Sequence, residues 1–218
     1  MNQDLAAFRA IVCEHLPNAD SGILAHFRDH GSHGLSNTQI VDACILLFAD
    51  GVENVASAIG TVMLTLTEHP EIRAALIEGK MKLGAVIEEA LRRDAPGQII
   101  SRIVRRDTEL AGLAVPAETA VFLLLGSANH DETVFADPER FDCQRDLEPM
   151  LTFGGGRHSC IGAQLARSQI SAAVNALLGA DIEIVTRPGQ VRYVPRFGHR
   201  WPQFLEARIA PNRRRQPS

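Results

Sequence analysis

Cys160 is the residue of this chain best placed to do chemistry. It closes the run FGGGRHSC at residues 153–160, where Gly154, Gly155 and Gly156 stand in a row after Phe153. Consecutive glycines let a backbone approach something bulky without Cβ clashes. After the cysteine, Ile161, Leu165, Ala166 and Ile170 recur at helical spacing. A cysteine at the mouth of a helix has unpaired N–H groups and the positive end of the helix dipole beside its sulfur. Both favour thiolate over thiol. A thiolate on a tight loop, with room for a flat ligand, suits the proximal side of a haem iron. The plainer alternative is a glycine-rich turn carrying a buried structural cysteine.

A second place with chemical potential lies in a long apolar segment. Leu35, Ser36, Gln39 and Ile40 combine a capping box with a hydrophobic staple, so a helix starts there. No proline follows until Pro70, which predicts a helix of roughly thirty residues, against an average of about 11–12. Being apolar on most sides, it is expected to run through an interior. Yet Asp50, Gly51, Glu53 and Asn54 fall in its middle. Glycine weakens a helix by about 1 kcal/mol relative to alanine, and buried carboxylates are costly unless partnered. Breaking both rules at one spot suggests a helix opened there for function; a surface-facing turn of an amphipathic helix is the alternative.

The loop resembles the cysteine-loop signature of the cytochrome P-450 family, Phe-x-x-Gly-x-x-x-Cys-x-Gly, with Phe153, Gly156, Cys160 and Gly162 in register and Ala166 and Arg167 trailing. The resemblance implies haem b, held by Cys160 as thiolate ligand, with Phe153, Gly154 and Gly162 shaping its cradle. Residues 49–54 (ADGVEN) are similar to the family's oxygen-binding kink, Ala/Gly-Gly-x-acid-Thr. Gly51 and Glu53 match, Asp50 replaces the small residue and Asn54 the threonine. The resemblance implies proton delivery to oxygen there. Glu53 can supply protons through water, whereas an amide at Asn54 hydrogen-bonds but cannot relay a proton as a hydroxyl does. Glu89 and Arg92 match the family's structural Glu-x-x-Arg, with Arg140 in the place of the arginine that joins it. Without the resemblance, Glu-x-x-Arg reads as a surface ion pair. Arg102 and His158 match the family's donors to the two haem propionates.

The elements that must position these residues are mainly helical. Helix-like spacing covers residues 2–16, stopped by Pro17, then 20–30, 70–79 and 81–93. Residues 99–104, 108–115 and 120–125 carry strand patterns, as do 182–185, 191–194 and 204–209, and a polar meander occupies 128–145. The fold class is mainly α with small β-sheets (α+β): a P-450-like fold built on a long central helix and the cysteine loop. The whole chain, 1–218, reads as a single partial domain matching only the C-terminal half of the family fold.

The 218 residues are 45% hydrophobic and 22% charged with net charge −4, an ordinary globular composition that gives no sign of nucleic-acid binding. The arginine run at 213–215 reads as a solvated tail. Cys13, Cys44, Cys143 and Cys160 form no paired spacing, as expected of free thiols in a reducing compartment. His26, His30 and His33 lack an acidic or cysteine partner and read as a polar loop rather than a metal site. The opening residues lack a basic region followed by an apolar core, and the most apolar run, 43–49, is too short for a bilayer. A cytoplasmic protein without membrane attachment is therefore expected.

The resemblance implies a haem-thiolate monooxygenase that inserts one atom of O2 into a small apolar substrate, with electrons from a ferredoxin-type or flavin donor. Two other readings stand beside it. One is a truncated, non-catalytic remnant or haem-binding fragment. The other is an interaction module whose central helix needs a second chain, supplying the missing half, to cover it.

Overall fold

The capping box is realised. In the computed structural model, which describes residues 3–30, 34–180 and 182–209, the Ser36 N–H donates to Gln39 Oε1 (2.8 Å) and the Gln39 N–H to Ser36 Oγ (3.3 Å). The chain separates into two compact units, Met1–Glu53 and Asn54–Ser218, which are described in turn. The arginine run at 213–215 and His33 lie outside the described residues.

The first unit holds helices α1 (Gln3–His15) and α2 (Gly22–His30), joined through a 3-10 turn at Leu16–Asn18 that carries Pro17, and the first half of α3 (Asn37–Glu68). Its core is small. Val12, Ile40, Val41 and Cys44 are buried, with Phe8, Leu16, Leu24 and Phe27 packed on them. Phe8 meets Phe48 at 4.7 Å between ring centroids, and Arg9 pairs with Asp42. Burial pushes the Cys44 thiol up.

The expectation of an interior helix holds for one half of α3 only. Leu46, Phe48 and Val52 are 61%, 56% and 56% exposed. Asp50, Gly51, Glu53 and Asn54 are exposed too, and the helix runs unbroken through them. Their carboxylates lie in water, so the desolvation cost expected of them does not arise. By length and composition α3 also suffices to cross a membrane. The most apolar run alone understated it, because its last four turns are apolar as well.

In the second unit that later half of α3 is the core. Ala58, Val62, Met63 and Leu66 pack against Ile72 of α4 (Pro70–Ile77), Val86, Ile87, Ala90 and Leu91 of α5 (Leu83–Arg93), and Ile170 and Val174 of α7 (Ala163–Gly179). Strands β1 (Ile99–Ile103) and β4 (Ala120–Leu124) pair antiparallel with Arg102 opposite Val121; β2 (Thr108–Leu110) and β3 (Leu113–Val115) form a hairpin. Ala111 and Gly112 turn that hairpin with φ of 50° and 81°, the left-handed pair its two-residue loop requires. Helix α6 (Leu125–Ala128) leads into the meander, and α7 (Ala163–Gly179) follows the cysteine loop. Strands β5 (Ile182–Ile184) and β6 (Ala207–Ile209) pair antiparallel. The strand expected at 191–194 is reduced to a single bridge between Tyr193 and Pro202.

Leu66, fully buried in this four-helix core, sets the scale of its packing. Leu66→Ala is expected to cost about 2–5 kcal/mol, read as a lower urea midpoint with unchanged slope.

Candidate functional site

The site is built on a buried ion pair. Glu89 and Arg92 lie one helical turn apart on α5 and are both fully buried. Arg92 Nε donates to Glu89 Oε2 (2.8 Å) and Nη2 to Oε1 (2.9 Å). A surface ion pair would leave these groups solvated; here the further hydrogen bonds of the guanidinium go to backbone carbonyls. Nη1 donates to the Asn129 carbonyl (2.7 Å) and Nη2 to the Pro138 carbonyl (2.6 Å). The guanidinium also lies 5.5 Å from the centroid of the Phe135 ring. Glu89 Oε1 accepts the Asp142 N–H (3.1 Å). The meander is thereby fastened to α5 at three points.

The arginine that joins this pair is Arg145, a correction to the expected Arg140. Arg145 Nε reaches Glu89 Oε1 at 3.4 Å, and its other donors take the carbonyls of Ala136, Asp137 and Arg140. Arg140 is turned outward onto Asp142 (2.6 Å). Both arginines lie in one meander, and sequence order alone did not separate them. Nor did it single out Asn129, buried at the meander's start. Its Oδ1 accepts the Leu151 N–H (2.8 Å) and its Nδ2 donates to Thr152 Oγ1 (2.9 Å); Thr152 in turn donates to the Leu91 carbonyl (2.8 Å).

These bonds deliver the chain to Phe153 and the cysteine loop. The Cys160 N–H donates to the Phe153 carbonyl (2.8 Å), and Gly154 N–H to the Leu151 carbonyl (2.8 Å). Gly154 and Gly156 have φ of 68° and 63°, a left-handed backbone that favours glycine. His158 ends a 3-10 turn at Gly156–His158, and Gly162 caps α7. The loop thus holds Phe153, Gly154, His158, Cys160 and Gly162. Cys160 is exposed and is a free thiol. Cys143 offers the contrast: burial, with the charges of Glu89 and Asp142, pushes its thiol up to about 11.

Arg102 sits exposed on β1 of the same unit, its Nη1 on the neighbouring Ser101 carbonyl (2.8 Å). Asp50, Gly51 and Glu53 occupy one turn of α3 at the end of the first unit, with Asn54 the first residue of the second. A Cβ at Gly51 would meet open space.

Arg167, on the first turns of α7, makes a bidentate pair with Glu88 (2.6 and 2.9 Å) and lies 4.3 Å over the Phe153 ring. The Glu88 hydrogen bond holds its guanidinium above the usual range against the cost of burial, with the Glu88 charge and then the Cys160 sulfur adding to it.

The residues present fit a haem. The exposed Cys160 is a soft donor for iron. Ile161, beside it, is 90% exposed, and Leu165 is also exposed, as apolar cover for a ring would require. A Cβ at Gly155 or Gly156 would meet nothing within 4 Å, so the loop leaves a clear approach.

The family model for Cytochrome P450 matches residues 13–180. This chain belongs to the cytochrome P450 family. It is 36% identical over 166 residues to the biotin biosynthesis cytochrome P450 of Bacillus subtilis (strain 168), covering 76% of this chain and 42% of that protein. It is 38% identical over 152 residues to nocardicin C N-oxygenase of Nocardia uniformis subsp. tsuyamanensis, covering 68% and 38%. Among solved structures, P450BioI in complex with a hexadec-9Z-enoic acid ligated acyl carrier protein superposes with TM-score 0.84 at 30% identity, over 95% of this chain and 54% of that one. CalO2 superposes with TM-score 0.86 at 31% identity. The chain thus spans about two-fifths of the length of these curated relatives.

Removing one partner of the buried pair leaves an uncompensated charge. Arg92→Met is expected to cost about 3–5 kcal/mol in chemical denaturation, and Arg145→Ala more than Arg140→Ala, since only Arg145 touches Glu89. Asp142 is held below the usual carboxylate range, first by the Gln144 N–H and then by Arg140. A depressed folded value stabilises fully above the unfolded value of about 3.9 and is lost as pH falls through it. Asp142→Asn should therefore flatten the acid limb of the stability profile below about pH 4.

Proposed function

We propose that this chain carries the haem-thiolate portion of a monooxygenase that inserts one oxygen atom of O2 into a small apolar organic substrate. Both units belong, in this reading, to one cytochrome P450 domain of which the chain supplies a part. The observation that carries it is the exposed Cys160, its N–H closed onto the Phe153 carbonyl and its loop tied to the buried Glu89/Arg92 pair. When bound, haem b would supply an iron able to activate oxygen; electrons would come from a ferredoxin-type or flavin protein.

The chain's own residues divide the remaining tasks. Cys160 Sγ holds the iron as thiolate. Arg102 and His158 neutralise the propionates, two cations for two carboxylates. Glu53 holds protons for delivery through water, and Asn54 orients that water through Nδ2–H and Oδ1. Gly51 leaves space beside them, and Asp50 adds a second acidic group on the same turn. The acyl chain carried in the P450BioI complex supports an apolar substrate class. A cytoplasmic setting accords with the free thiols of Cys13, Cys44, Cys143 and Cys160.

One observation favours a second reading. Leu46, Phe48 and Val52 form an exposed apolar stretch on α3, which suits a haem-binding fragment that is completed by a partner chain rather than acting alone.

Haem titration of the purified chain separates these readings from an inherited motif. The reduced carbon monoxide complex is expected to show the red-shifted Soret band of thiolate ligation, lost in Cys160→Ala. No haem uptake, or the same band in the alanine variant, would contradict the assignment of Cys160.

A further inference from the structure

Glu88, next to the buried Glu89, takes no part in the Glu89/Arg92 network. The i and i+1 positions of a helix face different ways, and Glu88 points to α7 rather than to the meander. There it forms both hydrogen bonds with Arg167, whose guanidinium covers the Phe153 ring. Phe153 is also the residue whose carbonyl closes the cysteine loop by accepting the Cys160 N–H. The loop is thus held from two sides by chemically separate means. On one side are Asn129 and Thr152, dependent on the buried pair. On the other are Glu88 and Arg167.

We propose that Arg167, held in place by Glu88, is a positioning residue for Cys160: it pins the Phe153 ring and thereby fixes the carbonyl that closes the loop on the cysteine. The proposal rests on the reading of Cys160 as haem ligand only for its functional meaning; the positioning itself is a property of the chain. A bidentate guanidinium fork is planar and directional, so it fixes the plane that lies against the ring. Partial burial of both groups makes this pairing stronger than an exposed one, and the cation over an aromatic face adds to it. The groove between α5 and α7 where the pair sits is lined by Gly84, Ser168 and Ser171 as well. These small side chains leave the fork unobstructed. Lysine at 167 would keep the charge over the ring and the attraction to Glu88 but lose the fork.

Amide hydrogen exchange on the full chain reads the loop directly, without haem. Arg167→Gln is expected to speed exchange at the Cys160 amide by about tenfold, with Arg167→Lys and Glu88→Gln between it and the wild type. The Leu151 amide, held by Asn129 in the other network, should not change. An unaltered Cys160 amide in folded Arg167→Gln would overturn the proposal. So would equal acceleration at Leu151, which would mean general loosening. A second readout uses the haem-loaded chain. The fraction of the reduced carbon monoxide complex with the thiolate-type Soret band should fall in Arg167→Gln and recover in Arg167→Lys. Loosening at Cys160 in a chain that takes up no haem would leave the positioning intact while sinking the haem reading, so the two failures are distinguishable.

Discussion

A charge buried without full compensation is among the most expensive things a protein can contain, and the second unit of this chain is arranged around two of them. Glu89 and Arg92 are fully buried on α5, so their donors and acceptors must all be met. What meets them is the backbone of the meander: the carbonyls of Asn129 and Pro138 and the amide of Asp142. An irregular segment with no ladder of its own acquires one conformation because a helix-borne ion pair needs its peptide groups. The Cys160 loop inherits that order through Asn129, Thr152 and Phe153.

This arrangement explains a division of labour among the cysteines. Cys143, in the meander beside Glu89, is enclosed by the network, and its thiol is pushed up to about 11, inert at neutral pH. Cys160, at the end of the same chain of bonds, is presented to solvent on a loop whose glycines leave its approach open. Position relative to one ion pair, rather than residue type, separates a packed sulfur from a presented one.

Much of this was legible in the sequence because it depends on local chemistry. The Ser36 and Gln39 cap, the β2–β3 hairpin and the ends of the helices follow from turn and capping residues acting within a few positions. The cysteine loop was legible for the same reason: φ near +65° at Gly154 and Gly156 calls for glycine. What sequence did not carry was which of several like residues points inward. Arg140 and Arg145 share one meander, and only the tertiary path puts Arg145 on Glu89. Glu88 and Glu89 are neighbours with opposite partners. The exposed stretch around Asp50 and Glu53 also read as interior, since apolar composition does not say what is present to cover a helix.

The central claim is that the Glu89/Arg92 pair acts on Cys160 through loop order and not through stability alone. Haem affinity, measured by Soret titration in Arg92→Met and in a core variant of matched stability such as Leu66→Ala, tests it most directly. A loss of affinity of more than about tenfold in Arg92→Met with little change in Leu66→Ala is the expected result. Equal losses in both, or none in Arg92→Met, would contradict the claim.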